Sequence, residues 1–131
     1  MLKREFRLAI LYELIETEAH DSHRVDQLVE KIKKTKNWTV PIAVESSTNA
    51  IMDGHHRLQA AKILGFKRVP CYLMDYIKGG VVLRSWRLDE EITIDNFFTN
   101  VRKKTKFPIK TTRHIFNPSI EEVNIPIDFL Y

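Results

Sequence analysis

The chain has 131 residues, 44% hydrophobic and 29% charged, with 21 Lys and Arg against 17 Asp and Glu for a formal net charge of +4. That length fits one domain with one core, residues 1–131, and 4 Gly and 5 Pro are too few for a disordered chain. No apolar run approaches the roughly 20 residues that cross a bilayer. MLKREF sets charges where a signal peptide needs an apolar stretch, and the lone Cys71 can make neither an internal disulfide nor a structural zinc site by itself, so the expected compartment is the cytoplasm.

Phe6–Leu14 (FRLAILYEL) predicts a strand, because Ile10, Tyr12 and Leu14 alternate and a polar segment follows. Glu16–Ser22 reads as a loop into a helix. Val25, Leu28, Val29 and Ile32 then fall at i, i+3, i+4 and i+7, one apolar helix face, and Asp21 or Ser22 suits the N-cap. Pro41–Glu45 and Ala50–Met52 predict two strands around the polar turn 46–49. A second helix follows Asp53-Gly54 with Leu58, Ala61, Ile63 and Leu64, and Gly65 stops it. Val69–Tyr76 and Val81–Trp86 predict strands separated by a turn at Gly79-Gly80, and Asn96–Lys104 a short helix. The tail after Phe107, with Pro108, Pro118 and Pro126, should run extended around the domain. This order predicts an α+β fold, a small mixed-sheet domain with an extended C-terminal tail.

Two basic patches, Lys31–Lys36 and Arg102–Lys106, read as solvated helix faces. The mild basic excess suits an anionic small molecule better than duplex DNA, which calls for dense basic clusters.

The informative segment is IMDGHHRLQAAKIL, where a strand ends and a helix begins at Asp53-Gly54-His55-His56-Arg57. A helix N-terminus offers unpaired N–H groups and about half a positive charge, which suits phosphate. Gly54 permits the sharp turn and a close ligand approach, and Arg57 can hold two phosphate oxygens at once. Asp53 fits if a metal or a hydroxyl must also be held. Taken singly, each residue has a structural explanation, as a cap, a half-buried ring or a surface pair. Three consecutive donors beside an acid are costly to explain by packing alone. Metal binding by both histidines is disfavoured, since adjacent side chains point apart.

The run DGHHRLQAAKILGFKRVPCYLMDY resembles the phosphate-binding segment of the ParB/sulfiredoxin-like superfamily, and within it is most similar to the free-serine kinases. The resemblance extends to three further places in order. His20-Asp21 stands where those kinases have His-Glu, Ser85-Trp86 matches a Thr-Trp, and KTTRH at Lys110–His114 is identical. It implies a kinase that moves the terminal phosphate of ATP or ADP, with Mg²⁺, to the hydroxyl of free L-serine or a similar amino acid. Asp21 is implied as general base, with Asp53 near the transferred group and its Mg²⁺. Gly54, His55, His56 and Arg57 are implied to hold phosphates. His20, Trp86, Thr111, Thr112, Arg113 and His114 would line the amino-acid pocket, Arg113 facing the substrate carboxylate.

The chain departs from the kinases in two respects. Asp21 is one methylene shorter than Glu, and Glu18 is the alternative acid. Only Arg87–Ile109 separates Trp86 from KTTRH where the kinases carry a longer segment, so one pocket wall is expected to be absent or supplied by another subunit. The competing reading is a nucleotide-binding ParB-like regulatory or DNA-binding module without catalysis, although no helix-turn-helix is legible and nucleic acid is not the expected partner. Sulfiredoxin chemistry is excluded, since it needs a thiol in the phosphate loop and Cys71 lies on an expected buried strand.

Overall fold

The computed structural model describes Met1–Tyr131. Its elements are β1 (Glu5–Ile10), α1 (Ser22–Thr35), β2 (Asn37–Trp38), β3 (Ile42–Glu45), β4 (Ala50–Asp53), α2 (His55–Leu64), β5 (Arg68–Met74), β6 (Val81–Ser85), α3 (Ile94–Lys103), β7 (Thr112–Phe116) and β8 (Ile125–Pro126). The main sheet runs β1-β5-β3-β4, with β3 parallel to β5 and the other pairs antiparallel.

All four residues of β3 are buried, because both faces of the sheet are covered. On one face Ile42, Val44, Ile51, Val69 and Cys71 meet Val25, Val29, Ile32, Leu58 and Ala61 from α1 and α2. On the other, Ala43, Met52 and Met74 pack against Val81, and Ala50 meets Leu83, Phe97 and Phe107 beneath the β6–β7 ribbon and α3. Alternation along each strand thus feeds an apolar layer on each face of the sheet. The larger depends on residues such as Leu58, 0% exposed, whose truncation to alanine should cost roughly 2–5 kcal/mol.

The fold is a small α+β domain with a mixed sheet, as the element order predicts. The extended tail returns along the body: β8 pairs with β2, and Leu130 is fully buried. Three expectations need correction. The first strand stops at Ile10 instead of Leu14, because Leu11 turns inward in a 3-10 turn and is 1% exposed. The strand expected to reach Tyr76 ends at Met74, where the Asp75 carboxylate accepts from the N–H groups of Ile77 and Lys78 and closes a turn. Ile63 leaves the apolar face of α2 and is exposed. Beyond the Gly79-Gly80 turn, β6 pairs with β7 and joins a ribbon separate from the main sheet.

The basic patches also find a physical account. Lys33 and Lys34 lie in the last turn of α1 and Arg102 and Lys103 in that of α3, where cations offset the negative end of the helix dipole. Cys71 is buried, and burial pushes its thiol up to about 12, so it is inert.

Candidate active site

β4 delivers Asp53 and Gly54 to the start of α2 at the edge of a cleft of about 540 Å³. Gly54 has φ +115°, where an L side chain is strained, and a Cβ there would stand 3.0 Å from Ile42 and 3.1 Å from the Arg57 guanidinium, so a side chain would also be crowded. No side chain caps α2, and its first-turn N–H groups remain open to a ligand. Arg57 reaches the Asp53 carboxylate at 3.3 Å, and its Nε is buried without a partner. That orphan donor lies in a residue lining the cleft.

The two histidines face the loop before α1 instead of standing as free cations. His55 Nε2 accepts from Thr17 N at 3.0 Å and Glu18 N at 3.2 Å. Burial pushes its pKa down to about 4, so the ring is neutral at pH 7. His56 Nε2 accepts from Asp21 N at 3.1 Å. Its pKa is lowered by burial and then by the nearby Arg24.

The acids separate sharply. Asp21 is the N-cap of α1, its carboxylate accepting from His23 N at 2.9 Å, and it does not line the cleft. Glu18 does line it. One oxygen, Oε1, accepts from Thr112 N at 2.8 Å, Thr112 Oγ1 at 2.9 Å and Thr111 N at 3.2 Å, and the Lys110 backbone amide also faces the carboxylate. Burial raises the Glu18 pKa above its ordinary value despite those bonds. Asp53 lines the cleft with its side chain 58% exposed. No group of three acidic, histidine or cysteine side chains is placed to hold a metal unaided. A lone Asp53 carboxylate still fits Mg²⁺ that arrives bound to phosphates, since such ions keep water and take only one or two carboxylates.

The KTTRH segment divides by strand alternation. Thr112 lines the cleft, while Thr111 is buried and donates its hydroxyl to Pro108 O at 2.7 Å. Arg113 points outward, its guanidinium 4.5 Å from the centre of the Trp86 ring, and Trp86 is a cleft residue. His114 turns inward to an aromatic cluster with Tyr76, Phe97 and Phe116, bonded to Tyr76 Oη at 2.7 Å. Burial lowers its pKa to about 4. His20 lies near His56 and does not line the cleft. The segment after Trp86 forms α3 and returns Ile109 and Lys110 to the cleft wall.

Sequence reasoning did not single out the wall that α1 supplies. Arg24, Gln27, Leu28 and Lys31 fall at i, i+3, i+4 and i+7 beside the buried stripe and all line the cleft. One signal was available: Arg24 puts a cation in the first turn of a helix, where the dipole opposes it.

No family model matches the chain. An ATP-dependent L-serine kinase of Desulfurococcus mucosus is 36% identical over an alignment of 67 residues that covers 48% of this chain and 26% of that protein. A ParB-like protein of Sulfolobus acidocaldarius is 36% identical over 62 residues, 47% of this chain and 31% of that protein. The matches thus span between a quarter and a third of the length of these curated relatives. Among solved structures, a glutamate-to-alanine mutant of a free serine kinase in complex with ADP superposes with a TM-score of 0.86 at 12% identity, covering 96% of this chain and 94% of that one. The chain therefore shares the fold of that kinase structure.

Proposed function

We propose that the protein is a nucleotide-dependent kinase that transfers a terminal phosphate to the hydroxyl of free L-serine or a similar amino acid. The observation that carries this reading is one cleft holding both the uncapped N-terminus of α2 at Gly54 and the carboxylate of Glu18. The first suits a phosphate, the second an acceptor hydroxyl. The serine kinase relative and the ADP-bound kinase structure support the same reading.

Phosphoryl transfer is mainly positioning plus electrostatics. The first-turn N–H groups of α2 and the Arg57 guanidinium would hold the phosphates, with Asp53 as the protein ligand for Mg²⁺. Bound there, Mg²⁺ would offset the charge on the transferring oxygens. Glu18 is the better-placed general base, because it lines the cleft while Asp21 is engaged at its cap. Its raised pKa makes it a stronger base than an ordinary glutamate. As it takes the hydroxyl proton, the alkoxide oxygen attacks the terminal phosphorus and the nucleotide departs one phosphate shorter. Trp86 would pack against the amino acid, braced by the Arg113 guanidinium over its ring, with Lys110 available to the substrate carboxylate.

The test is incubation with Mg²⁺, ATP or ADP, and a pool of free amino acids, followed by mass spectrometry. O-phosphoserine is the expected product. Bound nucleotide with no phosphorylated amino acid would replace the kinase with a binding-only module.

A further inference from the structure

His55 begins α2 and is 6% exposed. The two amides that converge on its Nε2, Thr17 N and Glu18 N, can only donate, so Nε2 is the bare, accepting nitrogen. Thr17 Oγ1 lies 3.1 Å from the same nitrogen but donates to Ile51 O at 2.7 Å, which anchors the loop to β4. A neutral imidazole carries its single proton on the other nitrogen. That nitrogen, Nδ1, has no partner within the protein and is not sealed from solvent, and His55 lines the cleft.

We propose that His55 is a positioning residue that joins the two halves of the site: Nε2 fixes the Thr17–Glu18 backbone, and thereby the Glu18 carboxylate, while Nδ1–H remains for the phosphate contact that the resemblance already implies. The second half rests on the kinase reading; the first rests on hydrogen bonds alone. From Glu18 the chain of contacts continues through Oε1 to the Thr111 and Thr112 amides at the start of β7. Three segments distant in sequence are thus set in one geometry by two side chains. A base displaced by about 1 Å can lose on the order of 10²-fold in rate, so the tether has a kinetic consequence beyond packing.

The first measurement is the tautomer of His55 in the wild-type protein at pH 8, read from the ¹⁵N shifts of its ring by NMR. A bare Nε2 and a protonated Nδ1 are expected; the reverse tautomer overturns the proposal. The second is His55→Leu against His55→Gln, whose amide can both accept and donate. His55→Leu should speed hydrogen exchange at the Thr17 and Glu18 amides and lower kcat by roughly 10²-fold. Nucleotide KM should rise only several-fold, as for one neutral hydrogen bond. His55→Gln should recover much of both. Unchanged amide exchange in His55→Leu, or a loss confined to nucleotide KM, overturns the positioning role. The tautomer is readable if His55→Leu does not fold, and the exchange readout is independent of turnover, so failure of the kinase reading is distinguishable from failure of the tether.

Discussion

The two helices that border the cleft begin in opposite ways. At α1 the Asp21 carboxylate accepts from His23 N and closes the N-terminus. At α2 the N-cap is Gly54, which has no side chain to offer, and the first-turn N–H groups stay open. Both ends carry the same partial positive charge. One is spent on the protein's own stability, and the other stays open. The backbone N–H of Asp21 also donates to His56 of α2, so the closed end helps to hold the open one. A histidine-rich helix start is therefore not a cluster of phosphate cations by default, because here both rings accept from the neighbouring loop.

This contrast was only half legible in the sequence. Gly54 after an apolar strand announced the open end, and the spacing of Val25, Leu28, Val29 and Ile32 announced α1 with Asp21 as a cap candidate. Which acid faces the cleft was not legible. Glu18 and Asp21 sit three residues apart in one loop, and only the hydrogen bonds tell them apart: the short Asp21 side chain reaches its own helix, while Glu18 reaches across to Thr111 and Thr112. The β6–β7 pairing was hidden for a related reason, since its strands are separated by the whole of α3 and nothing local in either encodes the partner. Within KTTRH, alternation along β7 sends Thr112 and His114 inward and Arg113 out, so consecutive residues of one motif go to different places.

The strongest way to break the contrast is Glu18→Gln. Turnover should fall by about 10²–10⁴-fold, with nucleotide affinity largely retained. Gly54→Ala attacks the open end itself, through a strained φ and a Cβ pressed on Ile42. A loss of about 1–3 kcal/mol in thermal unfolding and weaker nucleotide binding are expected, and wild-type values for both would contradict the close approach.

Acid should act through His114. Its folded pKa of about 4 lies below the ordinary 6.5, so between those values the unfolded chain binds more protons than the folded one. The contribution is complete above about 6.5 and is lost as pH falls toward about 4. Unfolding temperatures measured across that range should decline on acidification, and less steeply in His114→Gln. The smallest effect should come from the closed end. Asp21→Ala should cost about 0.5–2 kcal/mol of stability through the lost cap, with turnover per folded molecule nearly unchanged. A large turnover loss in a folded Asp21→Ala protein would return the role of base to Asp21.

The most direct test of the contrast is a titration of ¹⁵N-labelled protein with ADP and with ATP, in the presence of Mg²⁺, followed at the backbone amides. Saturable shifts should centre on His55, His56 and Arg57 in the first turn of α2, while His23, bonded to its cap in α1, stays nearly still. Shifts centred on Ser22 and His23, or no saturable binding of either nucleotide, would contradict the account.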